Sequence, residues 1–155
     1  MESKCEGCGL EVGGGKAACR AVFDEVCARE WEHPTSYRYH RMMVDSYCLQ
    51  HAEEYCESAK SFAAYLTGLC AAFEHKSHPS VQQAVNRWLG GRELDIARPE
   101  PPAFRGALTV AEVRGQEDPF PYAQAVDRWA RSTWEAYAAL QPLARRWIEL
   151  AMGGK

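Results

Sequence analysis

A chain of 155 residues and 17.4 kDa with 46% hydrophobic and 25% charged side chains has the size and balance of a single folded domain. Two full domains, wholesale disorder, a fibrous repeat and a coiled-coil rod are excluded on those grounds. The formal charge of −3 divides into 8 basic and 12 acidic residues over 1–78 and 10 basic and 9 acidic over 79–155, so neither half carries the positive field that nucleic acid demands.

Residues 1–16 show no helical or strand periodicity, and CEGCG followed by Gly13, Gly14 and Gly15 must be ordered by something other than an apolar core. From residue 17 the pattern turns helical: Val22, Phe23, Val26 and Cys27 recur at helical spacing through about Trp31, where HPTS breaks the run at Pro34. A second run, YRYHRMMVDSYCLQH, sets His40, Val44, Tyr47, Cys48 and His51 along one stripe. The third helix is expected from about Glu54 to Glu74. A fourth is opened by a capping box at Ser80 and Gln83 and closed at Gly90-Gly91.

Residues 91–107, with Pro99, Pro101 and Pro102, read as an extended strap. Thr109 and Glu112 form a second capping box, which starts a single turn ended by Gly115. After EDPFP, Val126, Thr133, Leu140 and Trp147 alternate with Trp129, Ala136, Leu143 and Leu150 at heptad spacing. This predicts one long C-terminal helix, kinked at Pro142, whose Trp-rich stripe packs into the core. No segment alternates like a strand. The expected class is therefore all-α, a single-domain bundle of about five helices over 1–155. It divides into a knuckle segment at 1–16, helices one to four at 17–90, the strap at 91–107, and a short turn with the long helix at 108–155.

The seven cysteines, Cys5, Cys8, Cys19, Cys27, Cys48, Cys56 and Cys70, are an odd number, and MESKCEGCGL lacks the apolar stretch of a secretory signal. Metal ligation and buried thiols therefore explain them better than a disulfide scaffold, and the expected location is the cytoplasm. No run approaches the roughly 18 apolar residues of a membrane span. CxxC followed by Gly is the turn in which two thiolates converge on one tetrahedral zinc, and it supplies only two ligands. A redox dithiol and a pair of incidental thiols are the competing readings.

Helix geometry restricts the remaining two ligands. His40 and His51 share a face but stand about 16 Å apart along an intact helix, so at most one belongs. The short HPTS connection makes helices one and two antiparallel, which brings Cys19 at the start of one level with His51 at the end of the other. The expected Zn2+ set is Cys5, Cys8, Cys19 and His51, with Cys48 in reserve. Four protein ligands leave no open position, the pattern of a structural site.

His33, His40, His75 and His78 gather at the opposite end of this hairpin, where a second site could be built, although exposed loop histidines are the commoner outcome. Asp45 follows Arg41 by one turn and reads as a surface ion pair of little energetic weight. Cys27, Cys56 and Cys70 sit on apolar stripes as small buried hydrophobes. No Gly-rich phosphate loop, nucleophile elbow or HExxH is present.

With these residues in hand, the chain resembles an uncharacterised bacterial family, a domain of unknown function. Its members open with CxxCG, continue with a Cys at the next helix and carry HRxxVDxYxxQH. Here the motifs stand as CEGCG, Cys19 and HRMMVDSYCLQH, and the likeness extends through ARPEPPAFRGALTVAEV and VDRWARSTWEAYAALQPLARRW. Members of that family often have a Pro after QH and a His-Leu pair in helix three, where this chain has Ala52 and Tyr65-Leu66. The resemblance marks Cys5, Cys8, Cys19, His40, Asp45, Gln50 and His51 and implies no established activity.

The leading expectation is a zinc-stabilised helical domain that binds or regulates an unknown protein or small-molecule partner. The alternative is a metal-dependent enzyme or small-ligand protein using a cleft near His40, Asp45 and Gln50. Nucleic-acid binding through the knuckle is the weakest class, because Arg128, Arg131, Arg145 and Arg146 are scattered among acids.

Overall fold

The computed structural model describes residues 4–32, 37–91 and 94–153. Among them the chain forms seven α-helices: α1 (Gly15–Glu32), α2 (Tyr37–Gln50), α3 (Ala52–Tyr55), α4 (Ala59–Glu74), α5 (Pro79–Leu89), α6 (Pro119–Ala136) and α7 (Gln141–Gly153). Two 3-10 turns, Val110–Glu112 and Ala138–Leu140, complete the helical structure. The only strand-like pairing among the described residues is one bridge between Lys4 and Glu11. No described helix is long and apolar enough to cross a membrane.

Helix α2 lies at the centre, packed against α4 on one side and α6 on the other, while α5 and α7 close over α4. Its neighbour α4 is apolar nearly all round and buries Phe62, Ala63, Leu66, Leu69, Cys70, Ala71 and Ala72, as a helix enclosed on several sides must. In α1 the buried residues Cys19, Val22, Phe23 and Val26 follow helical spacing, so this helix lays one stripe on the rest. Its direction is fixed by three contacts. Glu30 reaches His40 at one end, Phe23 stacks on Tyr47 in the middle, and Cys19 meets His51 at the other, so α1 and α2 are antiparallel.

Two expected helices are each divided in the structure, which accounts for seven rather than about five. The helix expected over 54–74 breaks after Tyr55 and restarts at Ala59, where the Ser58 hydroxyl accepts from the Ser61 N–H as an N-cap. The apolar spacing runs through this break in phase, which is why the sequence conceals it. The C-terminal helix is not one kinked rod. A helical Pro142 would drive its ring into the carbonyl of residue 138. The chain accordingly leaves α6 at Tyr137, makes a 3-10 turn, and starts α7 with Pro142 as its second residue. Gln141 then donates its side-chain amide to the carbonyl of Trp134, satisfying one of the carbonyls released by the break.

The start of α5 is also shifted. His78, not Ser80, is the N-cap, because Pro79 takes the first helical position and the His78 ring nitrogen accepts from the Ser80 N–H. Thr109 does cap the turn expected of it, accepting from the Ala111 N–H. The Trp-rich stripe is core, with Trp129, Trp134 and Trp147 buried.

The strap is held by named bonds as well as by the packing of Ile96 against the core. Arg98 donates to the carbonyl of Cys56 and lies over the Phe62 ring. Arg105 donates to both carboxylate oxygens of Glu53, and the Ser132 hydroxyl accepts from the N–H groups of residues 107 and 108.

Candidate metal centre

The N-terminal segment turns back on itself between Cys5 and Leu10. The Cys5 N–H donates to the Leu10 carbonyl at 2.9 Å, and the Gly9 N–H donates to the Cys5 carbonyl at the same distance. Gly9 closes this turn at φ +81°, a backbone region that a side chain resists. The residue inside the motif is under a tighter constraint. A Cβ on Gly7 would lie 2.5 Å from Cδ2 of His51 and 2.9 Å from the Gln50 carbonyl oxygen, so only glycine lets the turn settle on the histidine.

In this arrangement Cys5, Cys8, Cys19 and His51 point their ligand atoms at one locus, all within 4.8 Å of one another, the only such group among the described residues. Cys5 Sγ lies 3.3 Å and Cys19 Sγ 3.6 Å from His51 Nε2, and Cys8 Sγ lies 3.7 Å from Cys19 Sγ. Cys5, Cys19 and His51 are buried, and Cys8 is half-buried.

The histidine is oriented by its other nitrogen. His51 Nδ1 lies 2.6 Å from the Tyr47 carbonyl oxygen, which can only accept, so Nδ1 carries the proton and Nε2 offers its lone pair to the three sulfurs. The ring is wedged in place by Tyr47, stacked at 4.1 Å between centroids, and Tyr47 is backed in turn by Phe23 at 4.0 Å. Cys8 and Cys19 are in hydrogen-bond contact. The S–H of Cys19 holds Cys8 well below the usual thiol range, and the thiolate so formed, together with burial, pushes Cys19 up. The site thus holds one thiolate, on Cys8, at neutral pH, and a thiolate is the state that binds soft or borderline cations.

Outside the cluster, a depression of about 260 Å³ reaches His51 between Glu6, Lys16, Glu53 and Glu54. Two of these carboxylates are engaged, Glu54 with Lys16 at 3.1 Å and Glu53 with Arg105.

The other marked positions serve elsewhere. Cys48 does not join the cluster. It is buried near Tyr65, its carbonyl accepts from the Cys56 thiol, and burial pushes its own thiol up to about 12. Cys27, Cys56 and Cys70 are likewise pushed up by burial, to about 11, 12 and 12, as inert thiols are. His40 donates from Nδ1 to Glu30 at 2.6 Å, and Glu30 also accepts from the Tyr122 hydroxyl, tying α1, α2 and α6 together. Gln50 is fully buried. It donates to the carbonyls of Arg105 and Leu108 and accepts from the indole N–H of Trp129, so it clasps the strap to α2 and α6.

Asp45 corrects the expectation of a surface pair, because it is 2% exposed and its carboxylate lies 3.7 Å from Arg41. It presses on α4 at Gly68, where a Cβ would stand 2.0 Å from Oδ2. Burial raises its pKa to about 7, with Arg41 opposing the shift. His40, Asp45 and Gln50 thus have separate partners. His78 is occupied as a helix cap and His75 ends α4, while His33 lies outside the described residues.

What spacing did not reveal was Gly7, although a glycine between two metal-directed cysteines hints at close approach. Tyr47, four residues before His51, was also legible in principle, since that is the spacing at which a helix carbonyl can meet a following side chain.

Residues 3–138 match the family of unknown function DUF5946, and the chain belongs to that family. No curated protein and no solved structure matches it significantly.

Proposed function

We propose that the chain is one cytoplasmic domain whose Cys5, Cys8, Cys19 and His51 bind a single Zn2+ as a structural centre, and that its role is binding or regulation rather than catalysis. The observation that carries this reading is the spacing of the ligand atoms. For bonds of about 2.3 Å to sulfur and about 2.0 Å to nitrogen, a tetrahedron has S···S edges of about 3.8 Å and S···N edges of about 3.5 Å. Three of the six edges, one S···S of 3.7 Å and two S···N of 3.3 and 3.6 Å, lie close to those values, and all four atoms are within 4.8 Å of one another. Three sulfurs with one imidazole nitrogen is a donor set that zinc favours.

Four protein ligands complete the shell, so the ion would supply cross-linking rather than an activated water. It would fasten the glycine-rich segment to the start of α1 and the end of α2. Reduced cysteines are needed for this, which supports a cytoplasmic setting.

Elemental analysis of the purified chain tests the reading. It predicts one zinc per chain in the wild type and marked loss in Cys5→Ser and Cys8→Ser. Unchanged metal content in both variants, or none in the wild type isolated under reducing conditions, would end it.

A further inference from the structure

Far along the chain from the cysteines, α5, α7 and the first part of the strap enclose a groove of about 750 Å³. That volume lies within the roughly 300–1,000 Å³ of small-molecule sites. Its surface is polar and apolar in equal measure: Trp88, Ile96, Leu143, Trp147 and Leu150 form the apolar part, with the two indole rings 6.4 Å apart at its floor. All of these but Trp147 remain half-exposed, so they offer apolar surface that the described residues leave uncovered.

Two guanidinium groups border this apolar surface. Arg87 on α5 and Arg146 on α7 are exposed and make no ion pair among the described residues. Three other surface arginines are paired. Arg145 is held by Glu74, Arg128 by Glu112 and Arg131 by Asp127. One carboxylate, Asp95, also lines the groove, which leaves the described lining residues with two positive charges against one negative.

We propose that this groove binds a small anionic amphiphile, a molecule with an apolar body seated on Trp88, Leu143 and Leu150 and a carboxylate or phosphate head held by Arg87 and Arg146. The apolar floor supplies affinity through area removed from water, and the arginines supply the selection for an anion, since a guanidinium pairs with two oxygens of such a head at once. The groove shares no residue with the metal centre, and the inference goes beyond the zinc reading without depending on it.

The test titrates the full chain as purified with decanoate, decyl phosphate and decanol while following tryptophan fluorescence. Decanoate and decyl phosphate should saturate the change at one molecule per chain and bind at least ten-fold more tightly than decanol. Arg87→Gln combined with Arg146→Gln should cut decanoate affinity at least ten-fold. Both side chains are exposed, so the thermal midpoint should stay in place, and Arg145→Gln should leave binding unchanged. Equal affinity for decanoate and decanol, full decanoate binding by the double variant, or no saturation below the concentration at which decanoate self-associates would overturn the proposal.

Discussion

The N-terminal segment and the α4–α7 half of the molecule reach order by different physics. Around α4, order comes from area: Phe62, Leu66, Leu69, Trp129 and Trp147 are buried in one core cluster. Residues 4–14 bury little beyond Cys5, and their order rests on one bridge, one tight turn and four convergent ligand atoms. The first kind of order is distributed and degrades gradually. The second is concentrated on a point and is lost all at once.

Metal removal should give the largest effect and break the comparison most sharply if the account is wrong. Chelation, or Cys5→Ser, is expected to lower amide protection at residues 4–14 by at least 100-fold, because metal binding and local folding are coupled, while α4 and α7 keep their protection. Hydrogen exchange read by mass spectrometry checks this, and uniform loss across the chain would show that the two regions are not separable.

In the core half, Trp129→Ala should cost about 3–5 kcal/mol by cavity formation, and more through Gln50, whose carbonyl oxygen would lose its indole donor in a buried place. Denaturant unfolding measures it, with zinc stoichiometry expected to stay at the wild-type value in the variant that remains folded.

Asp45 sharpens the comparison, since it is a titratable group inside the area-dominated region. Its folded pKa of about 7 stands above the ordinary 3.8. Its contribution is therefore fully present below about pH 4 and is lost as the pH rises through about 7. By linkage the full swing is up to about 4 kcal/mol. Asp45→Asn should flatten the stability profile between pH 4 and 8 and gain on the wild type at the alkaline end. Parallel profiles for the two proteins would mean that the carboxylate is ionised in the fold.

A smaller effect is expected at Gly7. Gly7→Ala pushes a methyl group against His51 and the Gln50 carbonyl, and should weaken zinc by about 10–100-fold, the usual scale for disturbing the support of a ligand. Competition with a chromophoric chelator gives the number, and the unfolding midpoint of the metal-free protein should not move.

How far these features could be read from sequence follows the same division. The helical class, the α1–α2 register and the convergence of Cys5, Cys8, Cys19 and His51 were legible, because each depends on local periodicity or on distances set by helix rise. The breaks at Ser58 and Tyr137 were hidden by apolar spacing that runs through them unchanged. Asp45 was misplaced on the surface because a charge one turn from an arginine looks the same in sequence whether or not a glycine on another helix lets that face close. Gln50 looked like a site residue, and only the fold shows that its partners are strap carbonyls and an indole.

The central claim is that one zinc is held by three cysteines and His51, with His40 uninvolved, and chelator-driven zinc release from His51→Ala and His40→Ala tests it most directly. The account predicts that His51→Ala releases zinc at far lower chelator concentration and loses helical signal near the α1–α2 end. His40→Ala should keep wild-type stoichiometry and affinity, with a modest stability loss from the missing Glu30 contact. Loss of metal in His40→Ala with retention in His51→Ala would contradict it.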